Sequence, residues 1–204
     1  MRMLSIAAAA AVAAFAVPAF AQDTTDTTYE TAPTAPDGTR AFGIEPYVGV
    51  MGTWQSFDNE RNKAGIPQLA NGERLKGWEV TGVAGVNVPL GPVFVGAEGN
   101  VAKGVSGDID WEYGAAGRLG LKAGKDSMFF AKVGYQWTKF DSDVFPPVNT
   151  DRHYNGTTYG MGVELSTADL SSTAETSNLR LRAQVDTRGD FHSFRPMVGV
   201  VAKF

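Results

Sequence analysis

From Phe42 onward, apolar side chains recur at every second residue, in runs separated by clusters of Gly, Pro, Asn and Asp. Period two marks a strand with one apolar and one polar face, because successive side chains of an extended chain point to opposite sides. Eight such runs are present, at 44–56, 78–90, 93–103, 109–122, 127–138, 157–166, 178–187 and 195–204. No window beyond Phe42 carries a helical period. The first run places Ile44, Val48, Val50 and Trp54 on one face. The fourth places Ile109, Trp111, Tyr113, Ala115, Leu119 and Leu121 together. The last keeps the alternation through Phe194, Pro196, Val198, Val200, Ala202 and Phe204. Most runs are 10–13 residues long. A tilted strand that crosses a bilayer needs about 9–11 residues, whereas strands of soluble proteins average about 5–6.

The connections alternate in length. Those after runs one, three, five and seven are 57–77, 104–108, 139–156 and 188–192. Those after runs two and four are tight turns, Gly91-Pro92 and Ala123-Gly124-Lys125-Asp126. The turn after run six, 167–178, is longer than this alternation predicts, and nothing in its sequence explains it.

The second face of the runs decides between two architectures. It carries Glu45, Glu79, Glu98, Asp110, Glu112, Glu164 and Asp186, and an equal number of bases: Arg118, Lys122, Lys132, Arg180, Arg182, Arg195 and Lys203. Small residues such as Gly85, Gly96, Gly134 and Gly199 fill the gaps on that face. In a soluble sandwich the charged face is wet and the apolar face is the core. In a membrane barrel the apolar face meets lipid and the charged face lines a narrow interior. Three features favour the barrel. Aromatic residues cluster near run ends (Trp54, Trp78, Trp111, Tyr135, Trp137, Phe194, Phe204) as an interfacial girdle requires. Glycines lie mostly on the charged face, where a narrow interior has little room. The charges balance, as buried charges must to offset desolvation. Strands in lipid must pair every N–H and C=O, which only a closed sheet allows. The expectation is therefore an all-β, eight-stranded antiparallel up-and-down transmembrane β-barrel over 42–204. Eight strands enclose just enough room for their own side chains, so solute transport is not expected.

Composition sharpens this picture at the N-terminus. Arg2, an apolar run from Leu4 to Val17, and Ala19-Phe20-Ala21 form a signal peptide with cleavage expected after Ala21. Residues 22–41, rich in Thr, Asp, Ala and Pro, have no periodicity and read as a disordered leader. The chain has no cysteine, which excludes disulfide staples and a lipid anchor at the cleavage site. A net charge of −4 argues against nucleic-acid binding.

Candidate chemistry is sparse. Glu79, Glu98, Glu112, Arg118, Lys132, Glu164, Arg180 and Arg182 are expected to form a structural ion-pair network in the interior, with Glu98 beside Arg118 and Glu164 beside Arg180 or Arg182. A static network is favoured over a switchable gate, since balanced polar interiors are normal in such barrels. His153 in "DRHYNG" and His192 in "DFHSF" fall in expected outer loops. His192 and Ser193 are adjacent, so in a strand they would point to opposite faces, and no triad is indicated. "GLKAGKD" is one residue short of a phosphate loop and has Asp126 where Ser or Thr belongs. "NGT" at 155–157 is a chance glycosylation match. No catalytic residue, metal site or cofactor is expected.

The stretches "EPYVGVMGTW", "VFVGAEGNVAKG", "WEYGAAGRLGLKAG", "YGMGVEL", "LRLRAQVDT" and "VGVVAKF" together resemble the outer-membrane barrel family of opacity proteins and the barrel domain of OmpA-like proteins. That resemblance implies a Gram-negative outer-membrane location, contact with outer-membrane lipids and lipopolysaccharide, and a structural or adhesive role without catalysis. It also implies that the terminal aromatic, Phe204, is the signal read by the outer-membrane assembly machinery. Leu165 departs from the aromatic that often follows the sixth-strand Glu in that family. Loops 57–77 and 139–156 are the expected contacts for a host or cell-surface ligand. The alternative is a secreted or periplasmic lipocalin-like ligand-binding barrel, suggested by "GTW" at 52–54. Its interior should be apolar, against the charges found here.

Overall fold

The computed structural model describes residues 43–58, 72–124, 126–141, 153–170, 178–189 and 191–204. The signal segment, the leader, and the middles of loops 57–77 and 139–156 lie outside the described residues. Eight strands follow in order: β1 (Glu45–Phe57), β2 (Lys76–Leu90), β3 (Val93–Gly107), β4 (Ile109–Ala123), β5 (Ser127–Phe140), β6 (His153–Ser166), β7 (Leu179–Arg188) and β8 (Ser193–Lys203). Each pairs antiparallel with the next, and β8 returns to β1, closing an up-and-down barrel. The seam is tight. Tyr47 faces Lys203 in register, and the Phe204 amide donates to the Pro46 carbonyl at 3.0 Å.

The expected faces are resolved as outside and inside. Val50, Leu119, Phe129, Val133, Met161, Leu181 and Val198 are all exposed on the outer wall. Glu79, Glu98, Glu112, Arg118, Lys132, Glu164, Arg180 and Arg182 are all buried inside. This is the reverse of a soluble protein, whose charges face water. The interior is narrow enough to require glycine. A Cβ on Gly134 would come within 2.6 Å of the Ala116 Cα, whereas one on the outward Gly117 would meet nothing nearer than 3.9 Å.

Several boundaries differ from the sequence reading, and one register does. The strands next to the long connections run further than expected. Phe57, Lys76, Gly77, Lys139, Phe140 and 153–156 belong to strands, so His153 opens β6 and is not a loop residue. The backbone keeps its ladder there, with His153 opposite Lys139, after the sequence has lost its clean alternation. Asp110 and Ile109 exchange their expected faces. A register shift between Ile109 and Trp111 inserts one unpaired residue, so Ile109 turns inward and Asp110 turns out toward Lys103 and Lys139.

The long connection 167–178 also acquires partial structure. It begins with a single helical turn, α1 (Thr167–Leu170). Asp169 reaches across to the β4–β5 turn. Its Oδ2 accepts from the Asp126 amide at 3.2 Å, the Ser127 amide at 3.0 Å and the Ser127 hydroxyl at 2.6 Å.

Candidate functional site

The interior is a stack of layers. At the end with the short turns, Phe94, Met128 and Phe130 form an apolar floor. Above them sits a charged hub. Glu98 on β3 receives the Arg182 guanidinium from β7 at 2.5 Å, the Lys132 amine from β5 at 3.3 Å and the Tyr47 hydroxyl from β1 at 2.8 Å. Arg118 lies 3.7 Å from Glu98 and 2.7 Å from Glu164. Glu164 also takes Arg180 and Arg182, each at 3.2 Å. Several of these pairs cross the lumen, because Glu98 and Arg182 are on opposite walls. Arg118 and Arg182 also lie over the Phe130 ring, 4.1 and 4.7 Å from its centroid. The layering spares the guanidinium faces from facing bare hydrocarbon.

Met51, Val83 and Met197 make a middle apolar layer. Beyond it lies a second hub. Arg195 bridges Glu79 and Glu112, both at 3.1 Å, and Arg188 holds Glu112 at 2.6 Å. Thr138 donates to Glu112 at 2.6 Å and accepts from Arg188. Lys132 also pairs with Asp186 at 2.9 Å, a residue that faces Arg195 of the second hub in register. The mouth at the long-loop end is closed by Phe57, Leu75, Ile109, Phe140 and Tyr154, with Phe57 edge-on to Phe140 at 5.2 Å.

All eight sequence-nominated charges thus point inward and fall into these two hubs. Glu98 does lie beside Arg118, and Glu164 beside both Arg180 and Arg182. Sequence reasoning missed Tyr47, Arg188, Asp126 and Asp169. Arg188 was findable, since it continues the inward rhythm of Arg180, Arg182 and Asp186. Asp126 was not. It sits in a turn, yet holds Arg180 at 2.6 Å and Lys203 at 2.8 Å, so it ties the β4–β5 turn to both β7 and β8. Among the described residues no three His, Asp or Glu side chains gather as a metal-holding group. His192 stands at the loop end, 3.8 Å from Asp58.

No family model matches this chain, and no curated protein does. Several solved structures resemble it. A de novo designed transmembrane β-barrel is 14% identical over 79% of this chain and 96% of that one, with a TM-score of 0.44. Neisserial surface protein A is 14% identical over 79% and 99%, with a TM-score of 0.45. Ail, the attachment invasion locus protein of Yersinia pestis, solved in complex with the heparin analogue sucrose octasulfate, is 14% identical over 80% and 99%, with a TM-score of 0.44.

The arrangement gives this interior a definite chemistry. Among the described residues each charged side chain of the two hubs has at least one oppositely charged partner, and the filling side chains come from all eight strands. The outer wall does the opposite, presenting apolar side chains around the whole circumference and an aromatic collar near the long loops. Trp54 lies edge-on to Phe194 at 6.3 Å, and Tyr113 stacks on Trp137 at 5.3 Å.

Proposed function

We propose that this chain is a bacterial outer-membrane barrel that serves envelope structure and surface interaction, with no catalytic step. One observation carries the reading: the wall is apolar outside and ion-paired inside, with the mouth closed by Phe57, Ile109, Phe140 and Tyr154. Lipid is the solvent that favours such an exterior. A filled interior argues against conduction and against the lipocalin-like carrier, whose cavity should be apolar and open. Recognition is then left to the long-loop end, where 57–77 joins β1 to β2 and 139–156 joins β5 to β6 on the opposite side of the barrel.

The proposal includes export by the N-terminal segment with cleavage after Ala21, and use of Phe204 by the assembly machinery. The inward charges, in this reading, are structural bracing. The test is a gel of the isolated outer-membrane fraction, with and without boiling. Presence in that fraction with a heat-dependent change of mobility is expected. Recovery as a soluble periplasmic protein with extractable lipid would replace this reading with the carrier. Exchange of residues 59–71 or 142–152 for Gly-Ser linkers should abolish cell-surface binding and leave that mobility change intact.

A further inference from the structure

The second hub is complete on one side and incomplete on the other. Toward β5 and β7, Glu112 is held by Arg188, Thr138 and Arg195. Toward β1, β2 and β8, several polar atoms reach no partner among the described residues. They are both amide atoms of Gln55, Oε1 of Glu79, Oγ of Ser193 and Nε of Arg195. None of these four residues is more than 6% exposed. They also lie together. Glu79 stands opposite Thr53, and Gln55 stands opposite Gly77, which brings no side chain to this corner. Ser193 stands opposite Phe57, and between the register pairs Thr53–Met197 and Phe57–Ser193, Gln55 falls beside Arg195. The corner has a roof and a floor. Phe57 and Leu75 of the mouth cluster close it above. Below, the Thr53 and Thr81 hydroxyls share a hydrogen bond at 2.7 Å, over the layer of Met51, Val83 and Met197.

Buried polar atoms are rarely left unbonded, because each gives up its hydrogen bond to bulk water and gets none back. Five such atoms in one corner point to a bound group that pairs with them. Its chemistry is set by the mix. The amide nitrogen and Arg195 Nε only donate, the amide and carboxylate oxygens only accept, and the Ser193 hydroxyl does either. A cation would meet Arg195 there, and an anion would meet Glu79. Arg195 already neutralises Glu79 at 3.1 Å, so the corner favours no net charge. We infer that this corner is a binding site for a small cluster of water molecules, which are neutral and both donate and accept. The cluster joins Gln55 to Glu79 and Arg195 across β8, β1 and β2. The seam side of the upper hub is thus braced through water, where the β5–β7 side is braced by direct pairs. Exchange with bulk water runs past Ser193, the first residue of β8.

The test uses the full mature chain, isotopically labelled and folded in detergent micelles. Water contacts are read at the Gln55 side-chain amide by paired NOESY and ROESY spectra, whose signs separate a bound water from proton exchange. A long-lived water contact at that amide is expected. Amide protons with no water contact, or with exchange peaks alone, would overturn the site. Gln55→Leu supplies a second reading. If the amide were bonded to nothing, an apolar side chain of similar size would hold or raise the urea midpoint of unfolding. A water-bonded amide predicts the opposite. The variant removes the bonds that tie the cluster to β1, and the midpoint falls. A midpoint that holds or rises would therefore also overturn the site. The spectra of the unaltered chain decide the matter should Gln55→Leu fail to fold.

Discussion

Glu98 answers three cations and one hydroxyl from four different strands. Removing one partner of a buried ion pair leaves the others uncompensated, at a cost of about 3–5 kcal/mol. Glu98→Gln is therefore expected to lower unfolding stability by about that amount, read from urea unfolding in lipid vesicles. Gly134→Ala should also be disruptive, because its Cβ has no space beside Ala116. Gly117→Ala should be neutral or stabilising by about 0.5–1 kcal/mol, since a strand glycine carries an entropic cost and its outward side is open. Equal behaviour of the two alanines in thermal unfolding would contradict the inside–outside assignment. At this scale the sequence was highly legible, because period two separates inward from outward residues. It failed at Ile109 and Asp110, where one inserted residue swaps the faces and no residue type announces it. It also passed over Tyr47, whose ring looks like any apolar strand residue until its hydroxyl is seen donating to Glu98.

Elements tell a similar story with a different weak point. The strands were readable in order and direction, and their ends were not. Near the long loops the ladder continues through Lys76, Lys139 and His153, where polar residues on both faces hide the alternation. The connection 167–178 resisted reading because its reason is remote. Asp169 collects two amides and a hydroxyl from a turn more than 40 positions earlier in the chain. Asp169→Ala is expected to expose the Asp126 and Ser127 amides. Their hydrogen exchange should rise by about tenfold or more, the factor that corresponds to roughly 1.4 kcal/mol of lost protection. The central strand amides should exchange as before. Unchanged exchange at 126–127 would mean that α1 does not hold the turn.

The molecule as a whole is a sleeve with its polarity reversed, and its predictions concern insertion. Val198 is exposed on the outer wall of β8, opposite Gly52 of β1. Val198→Arg should cost about 2–4 kcal/mol if that position lies at the bilayer midplane, measured by folding into vesicles against urea. Deleting Phe204 should reduce the amount assembled in the outer membrane while synthesis stays level, as quantified by fractionation and immunoblot. Equal outer-membrane levels would remove Phe204 from the assembly role.

The seam between β1 and β8 has one more consequence. The first strand finds its second neighbour only in the last one, and the final amide bonds back to Pro46. Until that contact forms, any partial sheet has two raw edges. Hydrocarbon offers those edges no hydrogen bonds, and other chains in water offer too many. The chain therefore has no safe half-way form. An open sheet of these strands would offer its edges to other copies of the chain, and closure removes both edges together. The bond from Phe204 back to Pro46 is the clasp of that closure.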